Sequence, residues 1–333
     1  MRDIFEYRDN FKKYSEIESK LLVGDVSLIP DPIVSVVMPI FNRPQYLKTA
    51  LQSVIEQTFK GNYEIIIVDN NDTVAGKNAN QLVIESINSD KVLYYRNEKN
   101  IGMLGNWNRC IELARAPYVV FCHDDDMLLP DALRILMDLK SKNPDKAIFG
   151  ARNVINTNGD LISRCYFPAT KKFGLFKYRN AYGFMKEDVF VSSPGFGCGC
   201  LFDKKHLIDI GGYDSEFYPS SDYALNALYV FKYGGVFSCI PTFNYRIAEN
   251  ESLNVYEKFV EVDKHFRECM SNHMKWPNFI LKRIIIANYR ISKIHFAITW
   301  GKKEPTLINQ LKFSDKLVMK LVSIKLALRQ WSF

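Results

Sequence analysis

His123, Asp124, Asp125 and Asp126 stand in a row directly after the apolar run "YVVFC" at 118–122. Three adjacent carboxylates repel one another, so the arrangement costs stability unless a cation, hydrogen-bond donors or open water offset it. Hard divalent ions such as Mg2+ and Mn2+ prefer oxygen ligands and bridge one or two carboxylates to a diphosphate. The triad is therefore expected to anchor a diphosphate through a metal, which would act as a Lewis acid on the departing group. The chain has neither a G-x-x-x-x-G-K-[ST] loop nor a G-x-G-x-x-G after its first buried strand, which argues against P-loop and NAD-binding readings.

A repeating pattern must position these groups. "IVSVVMPIF", "YEIIIVDNND", "KVLYYRNEKN" and "APYVVFCHDDD" read as strands buried on both faces, because β-branched and apolar residues run through them without polar alternation. Between and after them, "RPQYLKTALQSVIEQTF", "NANQLVIESINS", "MLGNWNRCIELAR" and "PDALRILMDLKSKN" carry helical spacing. Strand and helix alternate four times, as in right-handed βαβ units that build a parallel sheet covered by helices. Ligands bind such sheets beyond the carboxyl ends of the strands. Three polar clusters fall there, at Pro39 to Arg43, Asp69 to Asp72 and His123 to Asp126, and are expected to converge on one crevice.

After residue 150 the pattern loosens. "AIFGARNVINTNGDLIS" predicts a hairpin, "GFGCGCLFDKKHLIDIGGYD" a strand and a short helix, and "SSDYALNALYVFKYGG" a helix capped by Ser220 or Ser221 with Asp222 in its first turn. A last strand is expected in "VFSCIPTFNYRIAENESLN". Residues 1–30 read as a partly helical lead-in stopped by "IPDP".

The chain has 333 residues, 47% of them hydrophobic, enough for one large domain or two. Seven scattered cysteines argue against a disulfide framework, and the lone Cys198-x-Cys200 pair reads as buried thiols. A charged N-terminus and the lack of a long apolar run predict a cytoplasmic protein. Residues 280–333 carry eleven Lys or Arg against Glu304 and Asp315, so the first 279 residues net −2 of the chain's +7. A cationic end on a near-neutral body points to an anionic partner at that end.

Taken in order, "VSVVMPIFNRPQYLKTALQSVIEQTF", "EIIIVDNND", "NIGMLGNWNRCIELARAPYVVFCHDDD" and "GGYDSEFYPSSDYAL" resemble the family 2 inverting glycosyltransferases of GT-A fold, over roughly residues 33 to 250. The resemblance implies an α/β, Rossmann-like, mostly parallel central sheet flanked by helices, with a basic helical C-terminal extension. It divides the chain into a helical lead-in (1–30), a glycosyltransferase domain (31–255) and a C-terminal helical region (256–333). Within the domain, 31–150 would bind nucleotide and 151–255 acceptor. Carried onto this sequence, the resemblance implies a nucleotide site lined by Pro39, Phe41, Asn42 and Arg43. Asp69 would hydrogen-bond the base, Asn100, Gly102 and Asn108 would close the site, and Asp124 would lie near the ribose. It gives Asp125 or Asp126 to Mn2+ or Mg2+, and makes Asp222 the general base. Gly212, Tyr213, Asp214 and Arg246 would lie on the acceptor side. Relatives often place a His near Ala248, absent here; a Q-x-x-R-W motif of processive members is missing too, so transfer of one sugar is expected.

In "TLINQLKFSDKLVMKLVSIKLALRQW", Leu307, Leu311, Leu317, Leu321, Ile324 and Leu328 recur near helical spacing beside Lys312, Lys316 and Lys320. Such a helix fits the headgroup region of an anionic membrane, with Trp331 at the interface, or else packs on the protein's own core. No nucleic-acid module accompanies the charge. The combined expectation is an enzyme peripheral to the cytoplasmic face of the inner membrane, using a UDP-linked sugar donor. Its acceptor would be a polyprenyl-diphosphate-linked saccharide in O-antigen or capsule assembly. Tyr166, Phe173, Phe196 and Tyr213 are candidates to stack on sugar rings. A sugar-phosphate nucleotidyltransferase, or an inactive scaffold of the same fold, is the alternative.

Overall fold

Four mostly apolar runs set the centre of the sheet. The computed structural model describes residues 1–71, 76–164, 180–192, 197–247, 255–299 and 305–330. Its first half runs β1 (Ser19–Val23), β2 (Val34–Ile40), α1 (Pro44–Ile55), β3 (Tyr63–Asp69), α2 (Ala79–Ile87), β4 (Val92–Asn97), α3 (Gly102–Leu113) and β5 (Tyr118–Phe121). β2, β3, β4 and β5 pair in parallel in the order β4-β3-β2-β5. Side chains alternate between the faces: Val36, Met38, Ile65 and Ile67 join one buried cluster, while Val37, Ile66 and Val68 join the other. With helices covering both faces, no strand residue needs to be polar. Pro44 starts α1, where its fixed φ fits and its missing N–H has no intrahelical partner to lose.

The second half continues as β6 (Met127–Leu128), α4 (Ala132–Lys142), β7 (Ala147–Ile155), β8 (Leu161–Ser163), β9 (Ala181–Phe184), α5 (Lys186–Val191), β10 (Leu201–Asp203), α6 (Lys204–Asp209), α7 (Ser221–Tyr233) and β11 (Gly235–Arg246). Here the pairing turns mixed. β10 runs antiparallel between β5 and β7, β11 lies parallel to β7, and β7 and β8 form the expected hairpin. Among the described residues, α8 (Tyr256–Ser271), α9 (Asn278–Thr299) and α10 (Phe313–Gln330) follow. Among the described residues, no helix is long and apolar enough to cross a membrane.

Two local expectations change. Residues 1–30 hold only short 3-10 turns at Phe11–Tyr14 and Val26–Leu28, and their strand β1 pairs antiparallel with β4 to form the sheet's edge. Ser220 does sit at the start of α7, but its hydroxyl donates to Asp263 Oδ1 at 2.7 Å and makes no cap.

The chain reverses direction across β2: β3 and β4 are laid down on one side and β5 on the other. A crevice opens at such a switch point, beyond the carboxyl ends of β2 and β5. The residues that follow those two strands are Phe41 to Arg43 and Cys122 to Asp126.

Candidate active site

The loops after β2 and β5 are joined by direct bonds. The Phe41 N–H donates to Asp124 Oδ2 at 3.3 Å, and Arg43 Nη1 donates to Asp125 Oδ2 at 2.6 Å while lying 3.6 Å from Asp124 Oδ1. Asn42 between them takes a left-handed φ of 52°, which an asparagine tolerates better than most residues and which turns the chain toward the carboxylates. Pro39 is buried in β2 opposite Val68, at the carboxyl end of the strand.

Arg246, at the end of β11, closes the cluster from the other half. Its backbone N–H donates to Asp126 Oδ1 at 2.9 Å and its Nε to the Asp125 carbonyl at 2.8 Å, with the guanidinium 5.0 Å over the Tyr46 ring. His123 stacks on Trp107 with ring centroids 5.0 Å apart, and its Nδ1 lies 3.3 Å from Asp126 Oδ2. That contact is an ion-pair distance without hydrogen-bond alignment, since Asp126 Oδ2 and His123 Nε2 both remain buried without a hydrogen-bond partner.

One ligand atom each from His123, Asp125 and Asp126 can be chosen so that all lie within 4.8 Å of one another. Two carboxylate oxygens and an imidazole nitrogen, with a buried carboxylate oxygen lacking a partner, suit a divalent cation. His123 was not among the ligands expected from the sequence. Its signal was present, three residues before Asp126, but the run of three Asp drew the reading toward oxygen ligands alone.

The charges carry the marks of this crowding. Burial pushes Asp124 up to about 7, the neighbouring Asp125 charge adds to the rise, and Arg43 opposes it. Burial and then Asp126 raise Asp125 as well. Burial disfavours the charged form of His123, yet Asp126, Asp125 and Asp124 together outweigh it, and its pKa is raised.

Asp222 lies in the first turn of α7, half-buried, and accepts from the Tyr223 N–H at 2.8 Å. Burial raises its pKa, while that N–H and the positive charges of His123 and Arg152 pull it back. The pull of His123 puts Asp222 within electrostatic reach of the carboxylate cluster, though 96 residues further on in the chain than Asp126.

Other expected residues have structural partners. Asp69 is fully buried and accepts from Asn78, Asn80 and the Tyr94 hydroxyl on Oδ2 and from the Asn71 N–H on Oδ1. It ties the loop after β3 to α2 and β4; Asp72 lies outside the described residues. Asn100 accepts from the Gly102 N–H at 2.9 Å and from Asn70 Nδ2 at 2.8 Å, and so fixes the start of α3. Asn108 exchanges both ends of its amide with the main chain of Tyr213, at 2.8 Å each way. Tyr213, a candidate to stack on sugar, is only 2% exposed and sets its ring edge against Trp107 at 4.8 Å. Burial in that aromatic cluster leaves it no face for a sugar. Asp214 is buried and pairs with Arg2, and Gly212 has a φ of 71° in the same turn. Tyr166, Phe173, Phe196, Ala248 and Trp331 lie outside the described residues.

A doubly wound sheet with a metal-competent carboxylate cluster at its switch point is the GT-A architecture. The chain belongs to glycosyl transferase family 2, whose model matches residues 35–210. It is 30% identical over 188 residues to the GalNAc(5)-diNAcBac-PP-undecaprenol beta-1,3-glucosyltransferase of Campylobacter jejuni, covering 56% of each chain. It is 27% identical over 324 residues to the poly(ribitol-phosphate) beta-N-acetylglucosaminyltransferase TarP of Staphylococcus aureus, covering 89% of this chain and 95% of that one. The crystal structure of S. aureus TarS 1-349 in complex with UDP-GlcNAc shares the fold at 16% identity and a TM-score of 0.56, over 87% of this chain and 79% of that one. Several relatives are matched over less than two thirds of their own length, 65% for an archaeal glycosyltransferase from Methanocaldococcus jannaschii.

Proposed function

We propose that the protein is an inverting, non-processive glycosyltransferase that moves one sugar from a nucleotide-diphosphate sugar, UDP-linked by this reading, to a saccharide acceptor. The observation that carries the reading is the grouping of His123, Asp125 and Asp126 just past β5, at the switch point of the sheet. In this reading His123, Asp125 and Asp126 hold Mn2+ or Mg2+, which when bound neutralises charge on the departing diphosphate. Arg43 and the Phe41 N–H orient Asp124 and Asp125 toward the crevice. Asp222 takes the proton from the acceptor hydroxyl on the opposite side, as a single displacement at the anomeric carbon requires. Burial raises the pKa of Asp222, which makes its carboxylate a better proton acceptor than an exposed one.

Incubation with a panel of nucleotide sugars and Mn2+ tests this. Release of nucleotide diphosphate, faster with acceptor present, is expected. Formation of pyrophosphate would identify a nucleotidyltransferase instead, and no turnover with any donor would leave the inactive scaffold.

The acceptor is read as a lipid-diphosphate-linked saccharide presented at an anionic membrane surface, in assembly of a surface polysaccharide. Support comes from α10, whose two apolar sides differ in fate. Val322 is buried, and Val318, Met319 and Leu326 pack on the core. Phe313, Leu317, Leu321 and Ile324 form a second, exposed stripe at i, i+4, i+8 and i+11. Exposed Lys312, Lys316 and Lys320 flank it, while Asp315 is buried against Arg290 at 3.2 Å. A second copy of the chain would meet its own lysine row there; anionic headgroups would not be repelled. Each lysine near such a surface contributes about 1 kcal/mol. Reversing Lys312, Lys316 and Lys320 to Glu together is expected to weaken binding to phosphatidylglycerol-containing vesicles by at least roughly 100-fold. Flotation would show it, and wild-type protein left unbound would remove the membrane from the proposal.

The near full-length likeness to TarP favours a second acceptor class, an anionic polyol-phosphate chain. Adding such a polymer and a lipid-linked saccharide as separate acceptors in the same assay distinguishes the two.

A further inference from the structure

Residues 2–13 cross the turn at Gly211–Phe217 as a strap, and that turn leads into the helix carrying Asp222. The Arg2 backbone N–H donates to Glu216 Oε1 at 3.0 Å, its guanidinium bonds Asp214 Oδ2 and lies 4.9 Å over the Phe217 ring, and its carbonyl lies 2.7 Å from His265 Nε2. Further along, the Asn10 backbone N–H and side chain both donate to the Gly211 carbonyl, at 3.1 and 3.0 Å, and Lys13 Nζ donates to Ser215 Oγ at 2.9 Å. The approach is close enough to exclude side chains: a Cβ on Gly211 would lie 1.9 Å from the Arg8 carbonyl, and one on Gly212 would lie 2.7 Å from the Phe11 ring. Both glycines also have positive φ, 86° and 71°, which other residues adopt at a cost.

The gripped turn reaches the chemistry in two directions. Ser221, next to Asp222, donates its hydroxyl to the Asp214 carbonyl at 2.8 Å. Tyr213 packs on Trp107, which stacks on His123. Beneath the strap lies a cavity of about 470 Å³, lined in part by Phe5, Leu225, Leu228, Phe231 and His273. Beside it Ile4 is buried and the Phe5 ring packs 5.0 Å from Phe231, so apolar contacts share the hold with the polar anchors at Arg2 and Asn10.

We propose that Arg2 is a positioning residue for the acceptor-activating carboxylate: by fixing Asp214 it sets the start of α7 and hence the place of Asp222. This rests on the reading of Asp222 as the base. A displacement of about 1 Å at a reacting group costs on the order of 100-fold in rate. For the full chain, Arg2→Ala is therefore expected to lower kcat for sugar transfer by about ten- to 100-fold. Nucleotide affinity and donor KM should change much less than kcat, since the turn bonds directly to the start of the Asp222 helix but reaches His123 only through Tyr213 and Trp107. Arg2→Lys, which keeps the charge but not the fork, should recover part of kcat.

Asp214→Asn removes the same pair without shortening the turn, and serves if Arg2→Ala does not fold. Wild-type kcat in whichever of these variants folds overturns the proposal, as does an equal loss of kcat and nucleotide affinity. Asp222→Asn, measured alongside, separates the two ideas. Full turnover in Asp222→Asn refutes the base, whereas loss there with full turnover in Arg2→Ala refutes only the strap.

Discussion

Asp222→Asn is expected to lose transfer by roughly a hundred- to ten-thousand-fold while still binding nucleotide, because the amide keeps the shape of the side chain but cannot accept the acceptor's proton. Isothermal titration with UDP and Mn2+, beside steady-state kinetics, would show the split. The wild-type pH profile carries a second signature. Burial holds the Asp222 carboxyl above the usual carboxylate range, so the acid limb of kcat should lie above that range too. Its helix N-terminal position, a local benefit to any carboxylate, accounts for stability and not for turnover. An Asn variant with unchanged turnover would return Asp222 to that structural part.

Removing the carboxylate at Asp126 should have the other large effect. Asp126 accepts the Arg246 N–H on one oxygen and leaves the other buried without a hydrogen-bond donor, so Asp126→Asn retains the first contact and takes away the cation's oxygen. Mn2+-dependent donor affinity is expected to fall on the order of 100-fold. The same cluster gives the metal effect a pH dependence of definite sign. Asp124 titrates at about 7 in the fold against 3.8 ordinarily, so between those values the folded state holds a proton that the unfolded state has lost. Its contribution to stability therefore falls as pH rises from about 4 to about 7. The raised His123 contributes with the same sign, since it loses a favoured proton as pH rises through its folded pKa. A cation at the cluster relieves the exposed charge, and Mn2+ should raise Tm more at pH 7.5 than at pH 5.5. Equal shifts at both pH values, or an undiminished shift in Asp126→Asn, would count against cation binding there.

The central βα units were legible because strands buried on both faces are mostly apolar: in Val34 to Ile40 and Tyr63 to Asp69 only Ser35, Glu64 and Asp69 break the run, and their helices show clear spacing. The edge strand was not legible. "SKLLV" at 19–23 exposes most of its side chains at the sheet's margin, so it shows neither a buried run nor alternation, and its charged surroundings read as helix. The carboxylate triad is legible as three consecutive Asp after an apolar run, but its partners are not. Arg246 reaches Asp126 across 120 residues and Asn108 reaches Tyr213 across 105, and no local pattern announces a bond of that span. His123 stands three residues before Asp126, so its place beside the carboxylates is local, and only its stacking on Trp107 depends on the fold.

The antiparallel insertion of β10 between β5 and β7 bears on how the chain is synthesised. Until residue 203 has emerged, Tyr118–Phe121 has one flank of unsatisfied amides and carbonyls, a ready template for another chain. A fragment ended at residue 150 should therefore precipitate rather than bind nucleotide by itself.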